Sequence, residues 1–200
     1  MKNTPVFASR WRLSLAVFVM VLCPACVTTY VNPSGTMNVA PTEAFSGFQH
    51  FEVQRITMGA PYAGQSANER ALLKIQENFD ERVGKLAADW NAKAPEGGRT
   101  LVIVPHIQDI KFISGGKRFW AGAFAGSSAV VLKIKFIDKA TGAEVNSAEF
   151  YQRAAAMGGA WTMGGTDNGM LVRITEISAN YIEANYGKAV GGPTGLPIEK

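Results

Sequence analysis

The two cysteines of this 200-residue chain are the residues whose type and spacing first suggest chemistry. Cys23 and Cys26 stand in the sequence CPAC, and the chain has no other cysteine. A C-x-x-C pair can form a redox-active disulfide or half of a zinc site. The redox motif normally follows a strand in a βαβ unit, and zinc needs further Cys or His ligands at close spacing. Only His50 and His106 are on offer, far apart in the sequence, so we expect no metal and no cofactor.

The residues that precede the cysteines have the composition of a secretory leader. Lys2, Arg10 and Arg12 give a positive start, and the apolar run 13–22 (LSLAVFVMVL) follows before the small residue Ala25. This run is too short to span a bilayer, which takes about 20 residues in a helix. We therefore predict a signal peptide over residues 1–25.

The end of this leader resembles the lipobox of bacterial lipoproteins. The match places Ala25 at the last position removed and Cys26 at the lipid-modified first position of the mature chain. Cys23 stands where that pattern usually has leucine, and Pro24 where alanine or serine is commoner, so ordinary cleavage before an unmodified Cys26 is the alternative. The resemblance implies lipid attachment at Cys26. In enterobacterial lipoproteins an aspartate after the cysteine favours retention in the inner membrane. This chain has Val27 there, which resembles the outer-membrane pattern and implies a protein on the inner leaflet of the outer membrane, facing the periplasm.

The charge of the chain is nearly balanced once the leader is set aside. The whole sequence has a pI near 9.1, with 20 Lys and Arg against 16 Asp and Glu. Three of the basic residues lie in the leader, which leaves 17 basic against 16 acidic side chains. Proteins that bind nucleic acid need a concentrated basic face, so we expect no nucleic-acid partner.

The clearest predicted element is a long amphipathic helix that begins near Ser66. Ser66 and Glu69 have the spacing of a capping box, in which each side chain satisfies a free backbone N–H of the first turn. Apolar residues then recur at steps of three and four, which places them on one helix face: Leu72, Ile75, Phe79, Val83, Leu86 and Trp90. We expect this face to pack on a sheet.

The remaining pattern predicts strands and a second helix. Strands are expected over 48–58, over 100–112 with a break or bulge at Pro105, over 130–138 and over 143–154. The sequence DKATG should form a hairpin turn with Gly142 at positive φ. A Gly-rich loop (158–169) precedes the second helix, whose apolar face starts at Leu171 and which should stop at Gly187.

This order predicts an α+β fold: a two-layer domain with a mixed sheet of about four strands covered by two amphipathic helices. We place this single domain at residues 47–187. Residues 26–46 are expected to be a flexible tether, and residues 188–200 a disordered tail.

The stretch 114–128 (SGGKRFWAGAFAGSS) has an unusual composition. It lacks the spacing of a phosphate-binding loop, because residue 111 is lysine and residue 118 is arginine. Two interpretations stay open. The glycines could allow a close backbone approach within the fold, or an exposed Phe119–Trp120 pair, with Lys117 and Arg118 beside it, could contact lipid or a partner.

Three segments of the chain resemble an uncharacterised family of bacterial lipoproteins, the domain of unknown function 4410. They are the sequence from Arg118 to Val145 (RFWAGAFAGSSAVVLKIKFIDKATGAEV), the glycines that follow it and the helix ending IEANY. The resemblance covers residues 48–186, and its most specific positions are Gly122, Gly126, Asp138, Thr141 and Gly142. It implies an envelope lipoprotein but no activity, because the family has none established.

No catalytic motif is apparent in the sequence, since it lacks G-x-S-x-G and closely paired carboxylates. We therefore expect a non-enzymatic, lipid-anchored protein that binds another envelope protein or acts as a scaffold, with membrane lipid contacted through acylated Cys26. The alternatives are a protein that binds or hydrolyses small molecules or peptidoglycan fragments, and an oligomeric component of an export channel.

Overall fold

The computed structural model describes residues 33–112, 127–154 and 165–196, with the side chains of residues 165–167 excepted. The elements, in chain order, are β1 (Met37–Asn38), a 3-10 turn (Phe45–Gly47), β2 (His50–Val53), β3 (Thr57–Met58), α1 (Ser66–Phe79), a π-helical turn (Asp80–Gly84), α2 (Lys85–Asn91), β4 (Thr100–Lys111), β5 (Ala129–Asp138), β6 (Glu144–Arg153), α3 (Gly165–Ala184) and β7 (Gly192–Pro193).

The main sheet has five strands and is mixed, which confirms the predicted α+β fold. Its order is β2-β4-β5-β6, and β3 also pairs with β4. β2 and β3 run parallel to β4, whereas β4, β5 and β6 are antiparallel neighbours. The fifth strand arises because the segment predicted as one strand over 48–58 divides into β2 and β3.

The core lies between one sheet face and the helices. β4 and β5 each present alternate apolar residues to it, and these are fully or almost fully buried: Leu101, Ile103, Ile107, Val130, Leu132, Ile134 and Phe136. The helices contribute the apolar face that the sequence predicts, with Ile75, Phe79 and Val83 fully buried. The apolar face of the sheet packs against the apolar face of the helices, and this packing makes a two-layer domain.

The start of α1 differs from the predicted capping box. The residue before the helix is Gln65, and its side chain caps no backbone N–H of the first turn. Glu69 Oε1 accepts instead from the backbone N–H of Gly64, at 2.8 Å. The glutamate thus satisfies a donor of the preceding loop, and Ser66 already lies inside the helix.

β4 runs through Pro105 without a register break, which corrects the predicted bulge site. Pro105 pairs with Ile134, and the irregularity lies between Ile107 and Asp109. On the other side of β4, β2 ends opposite Ile103 and β3 begins opposite His106. Proline has no N–H to donate, and the gap between β2 and β3 falls where that donor would be needed.

The predicted hairpin between β5 and β6 is confirmed. Gly142 has φ of 72°, and its N–H donates to the Asp138 carbonyl at 2.8 Å. The Asp138 carboxylate accepts from the N–H of Ala140 at 2.9 Å, which holds the turn from inside.

Both ends of the domain extend beyond the predicted boundaries. The Ser34 N–H donates to Glu149 at 2.9 Å, and Phe45 is fully buried, so most of the segment predicted as tether packs on the domain. β1 pairs with β7, which lies in the predicted tail. These segments cover the outer edge of β6. The Thr42 N–H donates to the Val145 carbonyl, and the Asn38 side chain pairs with the backbone of Glu149. A covered edge cannot pair with foreign strands.

α3 begins at Gly165, within the predicted Gly-rich loop, and ends at Ala184, three residues before the predicted stop at Gly187. Its predicted apolar residues Leu171, Ile174, Tyr181 and Ile182 are buried. In the three described ranges, no helix is both long and apolar enough to cross a membrane.

Candidate functional site

The sheet face that points away from the helices carries polar side chains. They form rows that run across neighbouring strands. Successive residues of a strand point to opposite faces, so the neighbours of the core residues in β4, β5 and β6 point outward. We call this surface the outer sheet face. Its central members are Val104, His106, Lys133, Lys135, Ser147 and Glu149.

The middle row of the outer sheet face is a chain of polar contacts. His106 stands opposite Lys133, which stands opposite Glu149. Lys133 Nζ lies 3.6 Å from Glu149 Oε1, and His106 Nδ1 lies 2.7 Å from Thr57 Oγ1 on β3. The row therefore crosses the sheet from β3 to β6 with its charges paired.

Glu149 is the most enclosed carboxylate of this row. Burial opposes its ionisation, but the hydrogen bonds from Ser34 and the nearby Lys133 ammonium outweigh that cost, so the pKa of Glu149 lies below its usual value. Glu149 is thus ionised at neutral pH and links the N-terminal segment to the face.

The neighbouring row holds an exposed ion pair beside a buried hydroxyl. Lys135 pairs with Glu144, with 3.3 Å between Nζ and Oε2, and its side chain is half exposed. Opposite it, the Ser147 hydroxyl is buried and has no hydrogen-bond partner. An unsatisfied buried hydroxyl costs free energy, so Ser147 is a point of reduced stability in this row.

The two histidines are both held by hydrogen bonds. His50 Nε2–H donates to the Gly97 carbonyl at 2.8 Å, while His106 contacts Thr57. Among the residues that the structure describes, no three or more His, Cys, Asp or Glu side chains are grouped so that they could hold a metal ion.

Tyr62 and Asp109 form a further contact between the loop before α1 and the end of β4. The hydrogen bond to the Asp109 carboxylate, with a smaller contribution from burial, raises the pKa of Tyr62 to about 12. Tyr62 is therefore a neutral hydrogen-bond donor at physiological pH, which fits a structural role better than a general base.

A cluster that sequence reasoning missed is centred on Arg99. Its guanidinium donates to both oxygens of Glu43, at 2.8 and 2.7 Å, and to Oδ2 of Asp138, at 3.2 and 2.8 Å. It also lies over the Phe48 ring, 4.1 Å from the centroid. The Arg99 hydrogen bonds lower the pKa of Glu43 and of Asp138. Every charge is paired, so the cluster joins three chain segments rather than offering a reactive group.

Only one member of this cluster has a signal in the sequence. Asp138 is one of the specific positions of the family resemblance, but its partners Glu43 and Arg99 are 95 and 39 residues away in the sequence. Only the pairing of β4 with β5 brings Arg99 to it, since Leu101 stands opposite Asp138.

The predicted site residues all lie outside the described residues. This holds for Cys26 and for the predicted contact residues Lys117, Arg118, Phe119 and Trp120. The described residues that flank 113–126 are Phe112 and Ser127. Close to them, Lys111, Ala129 and Arg153 lie side by side on β4, β5 and β6.

Comparisons with known proteins leave the family open. No protein-family model matches the sequence, and no curated protein sequence matches it. Solved structures with some similarity include a variant PelC dodecamer from Paraburkholderia phytofirmans (17% identity, TM-score 0.37, 69% of this chain and 90% of that chain) and a protein from Caulobacter crescentus provisionally described as a lipoprotein (11%, 0.38, 71% and 94%). A hypothetical protein from Chlamydia trachomatis is similar at 9% identity and a TM-score of 0.36, over 68% of this chain and 98% of that chain.

Proposed function

We propose that this chain is a lipid-anchored protein of the bacterial cell envelope that works by binding another envelope component. Cys26 would carry the lipid, and the domain would face the periplasm from the inner leaflet of the outer membrane. The observation that carries the proposal is the leader itself: a positive start, a short apolar run and Ala25 immediately before Cys26. The resemblance to the uncharacterised lipoprotein family supports the same conclusion.

The domain begins close to the proposed attachment point. Ser34, eight residues after Cys26 by subtraction, already donates a hydrogen bond to Glu149. Eight residue steps span at most about 29 Å of extended chain. A lipid on Cys26 would therefore hold the domain near the membrane surface, where its partners would be other membrane-attached or periplasmic components.

The outer sheet face is the surface we assign to binding. It has mixed charges and the half-exposed Lys135–Glu144 pair, features that suit a polar partner. Charged pairs of both signs favour a specific partner with complementary charges over a polyanion. We assign a second contact to Lys117, Arg118, Phe119 and Trp120, as their composition predicts.

A crosslinking experiment in intact cells tests the binding role. A photo-reactive amino acid is placed at His106 or Lys135, and a matched one at Leu73, an exposed position on α1 that is 65% accessible. We expect a specific crosslinked protein, identified by mass spectrometry, from the first two positions and not from Leu73. Equal background from all three positions would contradict the assignment. Crosslinks to glycan alone would favour a binder of peptidoglycan fragments, and crosslinks to further copies of this chain an oligomeric component.

A further inference from the structure

The two short strands at the ends of the domain form a surface with unusual exposure of apolar side chains. We call β1 and β7, with the adjoining Val39 and Val190, the terminal ribbon. Met37 is 60% exposed, Val39 is 72% exposed and Val190 is 54% exposed. In the part of the chain that the structure describes, only Leu73 among the large apolar side chains has comparable exposure. Such clustering marks a contact surface rather than scattered exposure.

The direction of these side chains follows from the strand alternation. Asn38 points into the domain, where its amide binds the backbone of Glu149. Met37 and Val39 flank it and so point away from the domain. Val39 cannot turn inward on its own, because the Asn38–Glu149 hydrogen bonds set the face of the strand.

The terminal ribbon is held firmly on the domain. The Thr194 N–H donates to the Thr36 carbonyl at 2.9 Å, and the Thr194 hydroxyl donates to the Gly35 carbonyl at 2.8 Å. From beneath, the fully buried Asn185 side chain accepts from the N–H groups of Val190 and Gly191. The ribbon thus presents its apolar side chains from a fixed backbone.

The two segments of the ribbon carry no acidic side chain of their own, which is compatible with an anionic surface. Residues 33–42 and 187–196 contain no Asp or Glu, and their one ionisable side chain is Lys188, which is exposed. Burying apolar side chains in the headgroup region is opposed when carboxylates must be desolvated with them. The ribbon carries no such obstacle in its own two segments.

The ribbon is also the described part of the chain nearest in sequence to Cys26. Seven residue steps separate Cys26 from Pro33, the first described residue. Seven steps reach at most about 25 Å, so an attached lipid would keep Pro33 within that distance of the acyl chains. β1 follows only four residues later.

We propose that the terminal ribbon is the face by which the domain rests on the lipid bilayer, with Met37, Val39 and Val190 entering the headgroup region. This inference rests on the proposed lipid anchor at Cys26. The anchor supplies proximity, and the ribbon fixes the orientation, so the outer sheet face would take a constant position relative to the membrane.

Depth-dependent fluorescence quenching tests the proposal on the full-length lipoprotein. Val39→Cys and, as the matched control, Leu73→Cys are expressed with the native leader, reacted with a polarity-sensitive fluorophore and placed in vesicles of phosphatidylethanolamine and phosphatidylglycerol. A lipid on the Cys26 sulfur leaves no free thiol there, so the wild-type chain, which has no introduced cysteine, should take no label. We expect a blue-shifted emission from the label at position 39 and its loss when the lipids carry nitroxide groups. The label at position 73 should show neither effect.

Three results would overturn the proposal, each with a distinct meaning. Equal water exposure of both labels on vesicle-bound protein would show that the anchor holds but the ribbon does not touch lipid. A blue shift at position 39 without nitroxide quenching would show that a protein surface, such as a second copy of this chain, covers the ribbon. Labelling of the wild-type chain at Cys26, with no vesicle binding, would show that Cys26 carries no lipid. That result would contradict the proposed function as well.

Discussion

The side-chain amide of Asn38 pairs with the backbone of Glu149 as another strand would. Its Nδ2 donates to the Glu149 carbonyl at 2.8 Å, and its Oδ1 accepts from the Glu149 N–H at 2.7 Å. Asn91 makes the same two-point contact with Phe51 at the opposite side of the sheet, at 2.8 and 2.9 Å. One asparagine thus protects β6 and another protects β2 against pairing with foreign strands.

Replacing Asn38 should loosen the N-terminal segment. Asn38→Ala leaves two backbone groups of β6 without partners, and we expect a loss of roughly 2 kcal/mol in the free energy of unfolding. Protease cleavage within residues 33–42 should also become faster. The measurement is urea denaturation combined with limited proteolysis.

The control for this change is Asn180→Ala, at an exposed position of α3. A surface substitution of this kind should stay within about 0.5 kcal/mol of the wild type. If Asn38→Ala were as stable and as resistant to protease as the control, the two-point contact would have no structural importance.

The Arg99 cluster should give the domain a specific acid sensitivity. Hydrogen bonds from Arg99 lower the pKa of Glu43 and Asp138 in the folded state. Groups of this kind stabilise the fold above their unfolded-state pKa values, near 4.5 and 3.8, and lose that contribution as pH falls through the lowered folded values. Arg99→Met should therefore lower the thermal midpoint most at neutral pH, and its difference from the wild type should shrink below pH 4.

Arg55→Met is the matched control for the Arg99 change, because Arg55 is exposed. Thermal melts between pH 3 and pH 7 should show a nearly constant offset for this variant. A difference between Arg99→Met and wild type that stays constant across that range would argue against the carboxylate linkage.

The hairpin turn should depend on the backbone of Gly142. Its φ of 72° is unfavourable for residues with a Cβ, although a Cβ built there would meet no atom within 4 Å. Gly142→Ala should therefore cost about 1–2 kcal/mol through backbone strain alone. Gly142→Asn should recover part of this, because asparagine tolerates positive φ better.

The comparison for the hairpin is Gly187→Ala, at a position without positive φ and with open space around it. Chemical denaturation should find this variant close to the wild type. Equal stability of the two alanine variants would show that the turn is not strained by a side chain.

Asn185 should be the most sensitive polar residue of the C-terminal segment. It is fully buried and binds the Tyr181 and Gly191 carbonyls as well as the N–H groups of Val190 and Gly191. Asn185→Ala leaves several buried groups unsatisfied, at a cost of roughly 1–3 kcal/mol for each group that stays buried. We expect release of residues 187–196, measured by hydrogen exchange. Protection there equal to that of Asn180→Ala would contradict this role.

The sequence predicted those parts of the fold that depend on local periodicity. The two-residue alternation of β5, the helical spacing from Leu72 to Trp90 and the turn at Gly142 all reappear in the structure. Each pattern is written in neighbouring residues, so no knowledge of tertiary contacts is needed to recognise it.

The remaining features depend on contacts between distant residues. Residues 36–46 have no periodic pattern, and they are ordered because Asn38, Thr42 and Phe45 bind or pack against β6, β5 and the end of α3. The division of strand one into β2 and β3 likewise follows from its partner β4. In the candidate site, His106, Lys133 and Glu149 form one row only because of the order and register of their strands, which local sequence patterns do not reveal.

The proposed anchor is tested most directly by metabolic labelling with a clickable fatty acid, followed by membrane fractionation. The wild type and Cys23→Ser, whose changed residue lies in the predicted leader, should both carry the label and sediment with membranes. Cys26→Ser should lose the label and move to the soluble fraction. A Cys26→Ser chain that still carries the lipid label and sediments with membranes would contradict the account.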